Sequence, residues 1–169
     1  GIGCDQVLLV MPPDAPDADF RYQIFNADGS TAGQCGNGAR CFARFVREQR
    51  LSNKRELSVQ TDDGLMTLKT LGDGRVLANL GAPRFEPPAI PFIAEHAALE
   101  YPITVGGQEL TLGAVSMGNP HAVLTVDDCA SAPVESLGPA LEAHERFPER
   151  VNVGFMQVLS PTDIKLRVF

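Results

Sequence analysis

The sequence contains no tryptophan, no long apolar run and no excess of basic residues. No stretch approaches the roughly 18 apolar residues of a membrane-spanning helix, and no secretory signal pattern is present, so we expect a cytoplasmic protein without membrane contact. The 14 basic residues are outnumbered by 21 acidic ones, and the formal net charge of -7 argues against nucleic acid as a partner. The 169 residues are 44% hydrophobic and 21% charged, which is typical of a folded globular protein.

Cysteine is also scarce. The four cysteines are too sparse for a disulfide scaffold, and no pair has the C-x-x-C spacing of a zinc site. Nothing in this composition calls for a metal, and we expect none. The cysteines are Cys4, Cys35, Cys41 and Cys129.

Both ends of the sequence are unusual. The chain begins without methionine, and residues 163–169 alternate apolar and polar side chains like a strand, with no turn or polar tail after them. We therefore expect this sequence to be a segment of a longer protein.

Turn residues divide the first part of the chain into short strands and one helix. Residues 5–11 and 20–25 are apolar runs that predict a β-hairpin. A Gly-Asn-Gly turn then leads into residues 39–49, where apolar side chains recur on one face and predict a helix. Three alternating segments follow, and the Asp-Gly turns between them, at 62–64 and 72–74, predict an antiparallel meander. The predicted buried face of the helix consists of Ala39, Phe42, Ala43 and Val46.

The second part of the chain is also predicted to contain short strands and one helix. A helix is predicted over residues 133–145, interrupted by Gly138-Pro139. The proline-rich stretch 81–98 is the best candidate for a boundary, so we expect domains at 1–82 and 83–169. Two halves of strands with one helix each indicate the α+β class. Strands are predicted at 101–105, 109–115, 122–126, 151–159 and 164–169.

The most informative local segment is Cys-Gly-Asn-Gly at residues 35–38, at the start of the first predicted helix. A thiol there lies at the positive end of the helix dipole, beside N–H groups without intrahelical partners, which favours the thiolate form. The same N–H groups could hold a substrate carboxylate. Taken alone, the segment is equally compatible with an Asn-Gly turn beside an inert, buried Cys35. Cys41, next to Phe42, is expected to be a core thiol.

The wider pattern resembles a known family. Asn-Ala-Asp-Gly-Ser at 26–30, followed after four residues by Cys-Gly-Asn-Gly-Ala-Arg at 35–40, is similar to the signature of the diaminopimelate epimerases, enzymes that work without pyridoxal phosphate. Further segments of the chain are similar to that family as well. They are Gly-Ile-Gly-Cys-Asp-Gln at 1–6, Gly-Asn-Pro-His at 118–121 and Phe-Pro-Glu-Arg-Val-Asn-Val at 147–153.

This resemblance implies two pseudo-symmetric halves, each a barrel-like sheet around a central helix, with the active site in the cleft between them. It implies a homodimer without a cofactor that interconverts L,L- and meso-diaminopimelate for lysine and peptidoglycan-precursor synthesis. Two cysteines act on opposite faces of one α-carbon, because a single base would tend to return the proton to its original side.

The resemblance also assigns roles to individual residues. Cys35 matches the first catalytic cysteine, and Gly36 and Asn37 match backbone donors to the reacting carboxylate. His121 resembles a histidine that lines the site and orients its neighbours. Amide side chains suit a zwitterionic substrate because each offers both donors and an acceptor. The amides that match substrate-binding positions are Gln6, Asn26, Asn119 and Asn152.

The sequence departs from the family pattern at both ends. It lacks the family's glycine-rich opening with an early substrate-binding Asn, and the second catalytic cysteine is expected beyond Phe169. Cys129 cannot replace it, because no glycine-rich helix start follows. We expect residues 1–169 alone to be inactive. Alternatives of the same architecture are a proline racemase-like or hydroxyproline dehydratase enzyme and a phenazine-biosynthesis-like isomerase; a further alternative is a non-catalytic binding module.

Overall fold

The computed structural model describes residues 3–33, 35–62 and 64–169. Three positions used above lie outside the described residues: Gly1 and Ile2 of the first family-like segment, and Asp63 of a predicted turn. The chain forms two compact units, Gly1–Gly81 and Ala82–Phe169. Each contains a sheet and one α-helix, which confirms the predicted α+β class with two similar halves.

The first unit is a mixed sheet that curves around a helix. The strand order is β1-β2-β4-β5-β6, with β3 beside β2. Among the described residues of this unit, β2 and β4 are the only parallel pair, and the connection between them contains β3 and the helix α1. Because α1 contacts β1 at one edge and β5 and β6 at the other, the sheet wraps around it. The elements are β1 Gln6–Met11, β2 Phe20–Asn26, β3 Thr31–Ala32, α1 Gly36–Glu48, β4 Glu56–Thr61, β5 Gly64–Thr70 and β6 Val76–Asn79.

Most predictions for the first unit are confirmed. Strands β1 and β2 form the antiparallel hairpin, and β4, β5 and β6 form the meander. All four residues of the predicted helix face are buried against the sheet. Helix α1 begins three residues before the predicted start, at Gly36, because the Cys35 side chain caps it.

The second unit is a mixed sheet in the order β11-β10-β9-β8-β7. Strands β9 and β10 are its only parallel pair, and the helix α2 connects them and contacts β7 and β10. In the proline-rich stretch, a 3-10 turn at Pro87–Ala89 precedes Ile90 and Phe92, which are buried in this unit's core. The elements are β7 Tyr101–Val105, β8 Gln108–Ser116, β9 Pro120–Thr125, α2 Val134–Glu142, β10 Asn152–Ser160 and β11 Asp163–Val168.

Two expectations about helices are wrong. Helix α2 is not interrupted by Gly138-Pro139: the Ala143 N–H donates to the Pro139 carbonyl (3.2 Å), so the helical pattern continues past the proline. Cys41 is exposed and is not a core thiol. It is two positions from Ala39, and a step of 200° around the helix axis turns its side chain away from the buried face. Among the described helices, none has the length and apolar character needed to cross a membrane.

Candidate active site

Cys35 is the N-cap of α1. Its backbone is extended (φ -141°, ψ 106°), its carbonyl accepts from the Ala39 N–H (2.8 Å), and its Sγ accepts from the Gly38 N–H (3.3 Å). The thiol is half-buried and packs beside the apolar core of the first unit. The sulfur therefore lies at the start of the helix, in contact with a backbone N–H of its first turn.

The first turn of α1 has two backbone N–H groups that could bind an anion. The N–H groups of Gly36 and Asn37 donate to no described residue, and the turn contains no acidic side chain that would fill it. A Cβ at position 38 would lie 3.0 Å from Leu8 Cδ2 and 3.4 Å from Cys35 Sγ. Glycine at 38 therefore lets the thiol and the helix start approach β1 closely.

Gln6 and Asn26 meet at the end of the β1–β2 hairpin. They are register partners, and Gln6 Nε2 donates to Asn26 Oδ1 (3.0 Å). The Asn26 Nδ2 in turn donates to Ser30 Oγ (3.0 Å), and the Ser30 hydroxyl donates to Asp28 (2.6 Å). Because Asn26 Oδ1 and Nδ2 are both engaged, the amide orientation is defined.

A cavity of about 340 Å³ lies beside this amide pair, bordered by the ends of β1 and β2 and by Cys4. A larger hollow of about 710 Å³, between the second half of α1 and the β5–β6 turn, contains none of the candidate site residues. The amide pair therefore lies in a concavity of a size suited to a small polar ligand.

The candidate residues of the second unit meet where β9 and β10 begin. His121 is the register partner of Asn152, and the Asn152 side chain donates to the Pro120 carbonyl (3.0 Å). His121 Nε2 is 2.9 Å from Asn119 Oδ1, and because an amide oxygen can only accept, Nε2 carries the proton. Burial lowers the pKa of the half-buried His121, so the imidazole is neutral near pH 7.

The predicted residues thus fall into two groups, one in each unit. The first contains Cys35 with the α1 start, and the Gln6–Asn26 pair; Leu8, two residues after Gln6 on β1, lies against Gly38 of α1. The second contains Asn119, His121 and Asn152. The sequence analysis did not predict the hydrogen bonds that join Asn26, Ser30 and Asp28. An Asp and a Ser at two and four residues after an Asn are a turn signal that indicates such bonds.

The first unit's group can hold a carboxylate beside a nucleophilic sulfur, and the second offers neutral hydrogen-bonding groups. Within residues 3–33, 35–62 and 64–169, no three His, Cys, Asp or Glu side chains converge as metal ligands would.

Solved structures share this fold at low sequence identity. A probable proline racemase from Agrobacterium radiobacter superimposes with a TM-score of 0.70 over 96% of this chain and 53% of that protein, at 19% identity. A hydroxyproline epimerase from Agrobacterium vitis gives a TM-score of 0.68 over 96% of this chain and 52% of that protein, at 18% identity. At such identities the likeness establishes the architecture alone.

Sequence relatives are much more similar. The diaminopimelate epimerase of Ectopseudomonas mendocina is 59% identical and that of Azotobacter vinelandii 58% identical, each over all 169 residues. The chain spans 61% of the length of each of these two relatives. The family model for diaminopimelate epimerase matches residues 1–86 and 113–169. By that match, which includes the Cys35 segment and both groups of site residues, the chain belongs to the diaminopimelate epimerase family.

Proposed function

We propose that the complete gene product interconverts L,L-diaminopimelate and meso-diaminopimelate, in the route to lysine and peptidoglycan precursors. The observation that carries this proposal is the setting of Cys35, whose Sγ accepts a backbone N–H at the start of a glycine-rich helix. Membership of the family supports the reaction class, and the relatives at 58% and 59% identity bear the name of that enzyme.

In this proposal Cys35 exchanges a proton with the α-carbon of the substrate. As a thiolate it accepts the proton and becomes a thiol, and the electron pair of the C–H bond stays on the α-carbon and the neighbouring carboxylate. The N–H groups of Gly36 and Asn37 bind that carboxylate and stabilise the developing charge. Fixed N–H dipoles perform this role without a cofactor, because they need no reorientation as the charge develops.

Inversion requires a second acid on the opposite face of the α-carbon. We propose a second thiol that protonates this face and becomes a thiolate, so that no net proton is gained or lost. Cys129 does not suit this role because it is 6% exposed and five residues before α2. Cys4 and Cys41 are exposed and cap no helix. The proposed second thiol is therefore a residue outside 1–169.

Amide and imidazole side chains are proposed to bind the rest of the zwitterionic substrate. Gln6 and Asn26 would do so from the first unit. Asn119 and Asn152 would do so from the second, with His121 orienting Asn119. Each of these groups is uncharged near pH 7, so each can satisfy the substrate's ammonium and carboxylate groups by hydrogen bonding without a fixed counter-charge.

We further propose that the protein is a cytoplasmic homodimer. We also propose that its domain boundary lies between residues 82 and 83. The four free cysteines support a reducing compartment. The family resemblance supports the dimer, and light scattering on the purified gene product tests it: a monomer at micromolar concentration contradicts this proposal.

Proton exchange in deuterated water tests the reaction. The gene product is incubated with L,L-diaminopimelate or with L-proline, and deuterium at the α-carbon is measured by mass spectrometry. We expect exchange and inversion with diaminopimelate only. Exchange with proline alone would contradict the substrate and favour the proline racemase-like alternative.

A matched pair of cysteine variants completes the test. Cys35→Ala is expected to abolish exchange, whereas Cys129→Ala retains it. Exchange that survives in Cys35→Ala would remove Cys35 from the reaction, whatever the substrate. Absence of exchange with either amino acid, in a protein that is folded by circular dichroism, would favour the non-catalytic alternative.

A further inference from the structure

Arg40 extends from α1 back to the turn that begins the helix. Its Nη2 donates to Asn37 Oδ1, three residues earlier. Side chains on an α-helix lean toward the N-terminus, so a guanidinium at position 40 is carried beside the first turn. The planar fork of an arginine fixes the direction of the group that it binds.

The charge of Arg40 is not neutralised. No carboxylate in the described part of the chain forms an ion pair with it. Arg44, one turn further along the same helix, pairs with Glu48 at 2.7 Å. A cation near the start of a helix opposes the helix dipole, so helix stability does not account for an unpaired arginine at this position. The positive charge is instead available to an anion at the α1 start.

The first turn of α1 is rich in glycine and is held by two side-chain contacts. Gly36 and Gly38 flank Asn37, and glycine gives the backbone more conformational freedom than any other residue. The Cys35 cap restrains Gly38, and the contact between Arg40 and Asn37 restrains the residue between the two glycines. Both contacts therefore restrain the turn that carries the N–H groups of Gly36 and Asn37.

We propose that Arg40 is a positioning residue for the carboxylate site: it orients Asn37 and supplies the unneutralised charge that draws an anionic group to the α1 start beside Cys35. This inference rests on the proposed function for the identity of the anion, the substrate α-carboxylate. The charge itself and its effect at Cys35 do not depend on that identity.

Alkylation of Cys35 by two reagents of nearly equal size measures this charge directly. Iodoacetate is an anion and iodoacetamide is neutral, so the ratio of their rates at Cys35 reports the local electrostatic potential. The gene product carries Cys4→Ser and Cys41→Ser to remove the two exposed thiols, and the Cys35 peptide is quantified by mass spectrometry.

Three variants separate charge from orientation. Arg40→Gln keeps a donor for Asn37 and loses the charge, Arg40→Lys keeps the charge and loses the planar fork, and Arg44→Gln is the matched control on the same helix. At about 0.1 M salt we expect Arg40→Gln to lower the iodoacetate to iodoacetamide ratio roughly threefold, as for one charge removed at several ångströms in water. Arg40→Lys and Arg44→Gln are expected to leave the ratio unchanged, and the threefold difference disappears at about 1 M salt.

Kinetics with diaminopimelate supply a second readout. Arg40→Gln is expected to raise KM about threefold, in line with the lost attraction, and Arg40→Lys to lower kcat with little change in KM because Asn37 loses its orientation. An unchanged alkylation ratio in Arg40→Gln, or an equal fall in Arg44→Gln, would overturn the inference. If the unmodified enzyme shows no epimerisation but the ratio responds to Arg40→Gln, the proposed function fails and the electrostatic role of Arg40 stands.

Discussion

Cys35 and Cys129 both lie in a connection between parallel strands, ahead of the helix that crosses from one strand to the next. Their hydrogen bonds run in opposite directions. Cys35 Sγ accepts the Gly38 N–H, whereas Cys129 Sγ donates to the Phe155 carbonyl at 3.1 Å. The sulfur is thus an acceptor at a helix start in the first unit and a buried donor to a backbone carbonyl in the second.

The N-termini of α1 and α2 also differ in the residues that surround them. Helix α1 begins with glycines, an N-cap sulfur and no acidic residue in its first turn. Helix α2 begins at Val134, its N-cap Pro133 makes no side-chain capping bond, and Glu135 lies in its first turn. A carboxylate from the chain itself thus lies in the first turn of α2, whereas the first turn of α1 has none. A β-α-β connection supplies the dipole, and the residues at the helix start decide whether a ligand can use it.

The largest expected effect separates the two cysteines by catalysis. Cys35→Ser is expected to lower α-proton exchange with diaminopimelate by roughly 10³-fold or more, because an alcohol is too weak an acid to provide the base. Cys129→Ser retains the rate, since a hydroxyl can donate to the Phe155 carbonyl as the thiol does. Deuterium incorporation at the α-carbon measures the exchange rate of each variant. Equal losses in the two variants would abolish the distinction.

The second effect is on thiol reactivity in the native protein. Cys129 is 6% exposed and reacts only when the structure opens, so iodoacetamide should modify Cys35 at least about 100-fold faster. Peptide mass spectrometry over a time course measures the two rates, and strong denaturant should make them similar. Comparable rates without denaturant would mean that Cys129 is not held in the core.

The third effect concerns the close packing of a glycine in α2. A Cβ on Gly138 in α2 would lie 2.3 Å from Phe169 Cγ, so Gly138→Ala is expected to cost about 1–3 kcal/mol of unfolding free energy. Gly72→Ala is the control, because no atom lies within 4 Å of its added Cβ. Urea unfolding measures both variants.

A double variant checks the cause of that loss. In a Phe169→Ala background the ring is absent, and Gly138→Ala should cost much less. A full penalty in that background would show that the clash with Phe169 is not responsible.

The smallest effect is a pH dependence in the second unit. Burial lowers the pKa of His121 in the folded state below its ordinary 6.5, so the unfolded chain binds more protons in this range. The unfolding free energy should therefore fall as pH drops below about 6.5, and level off below the folded-state pKa. His121→Gln should weaken this dependence and leave the pH 7 to 8 range unchanged. Urea unfolding midpoints at pH 7.5 and 5.5 measure this pH dependence. An identical change between the two pH values in the unmodified protein and in His121→Gln would contradict a buried neutral imidazole.

Local pattern predicted much of the fold. The hairpin, the meander and the buried face of α1 follow from apolar spacing and turn residues, which act within a few positions along the chain. Local pattern failed where two readings of the same residues compete. Cys41 was assigned to the core from its apolar neighbour, but its angle around the helix exposes it. Gly138-Pro139 predicts an interruption of the helix, but the Leu137 N–H donates to the Pro133 carbonyl and the Ala143 N–H to the Pro139 carbonyl, so α2 continues through both residues.

The sequence by itself determined the α+β class, the family and the position of Cys35 ahead of a glycine-rich helix, because these depend on residue types at short, fixed spacing. Tertiary structure alone decided that Gln6 bonds to Asn26, twenty residues away, and that Asn152 meets Pro120 and His121. It also decided that Cys129 is buried. The sequence distinguished Cys35 from the other three cysteines by its glycine-rich neighbours. Strand register and helix packing then left Cys41 exposed and Cys129 buried, since both depend on contacts between segments distant along the chain.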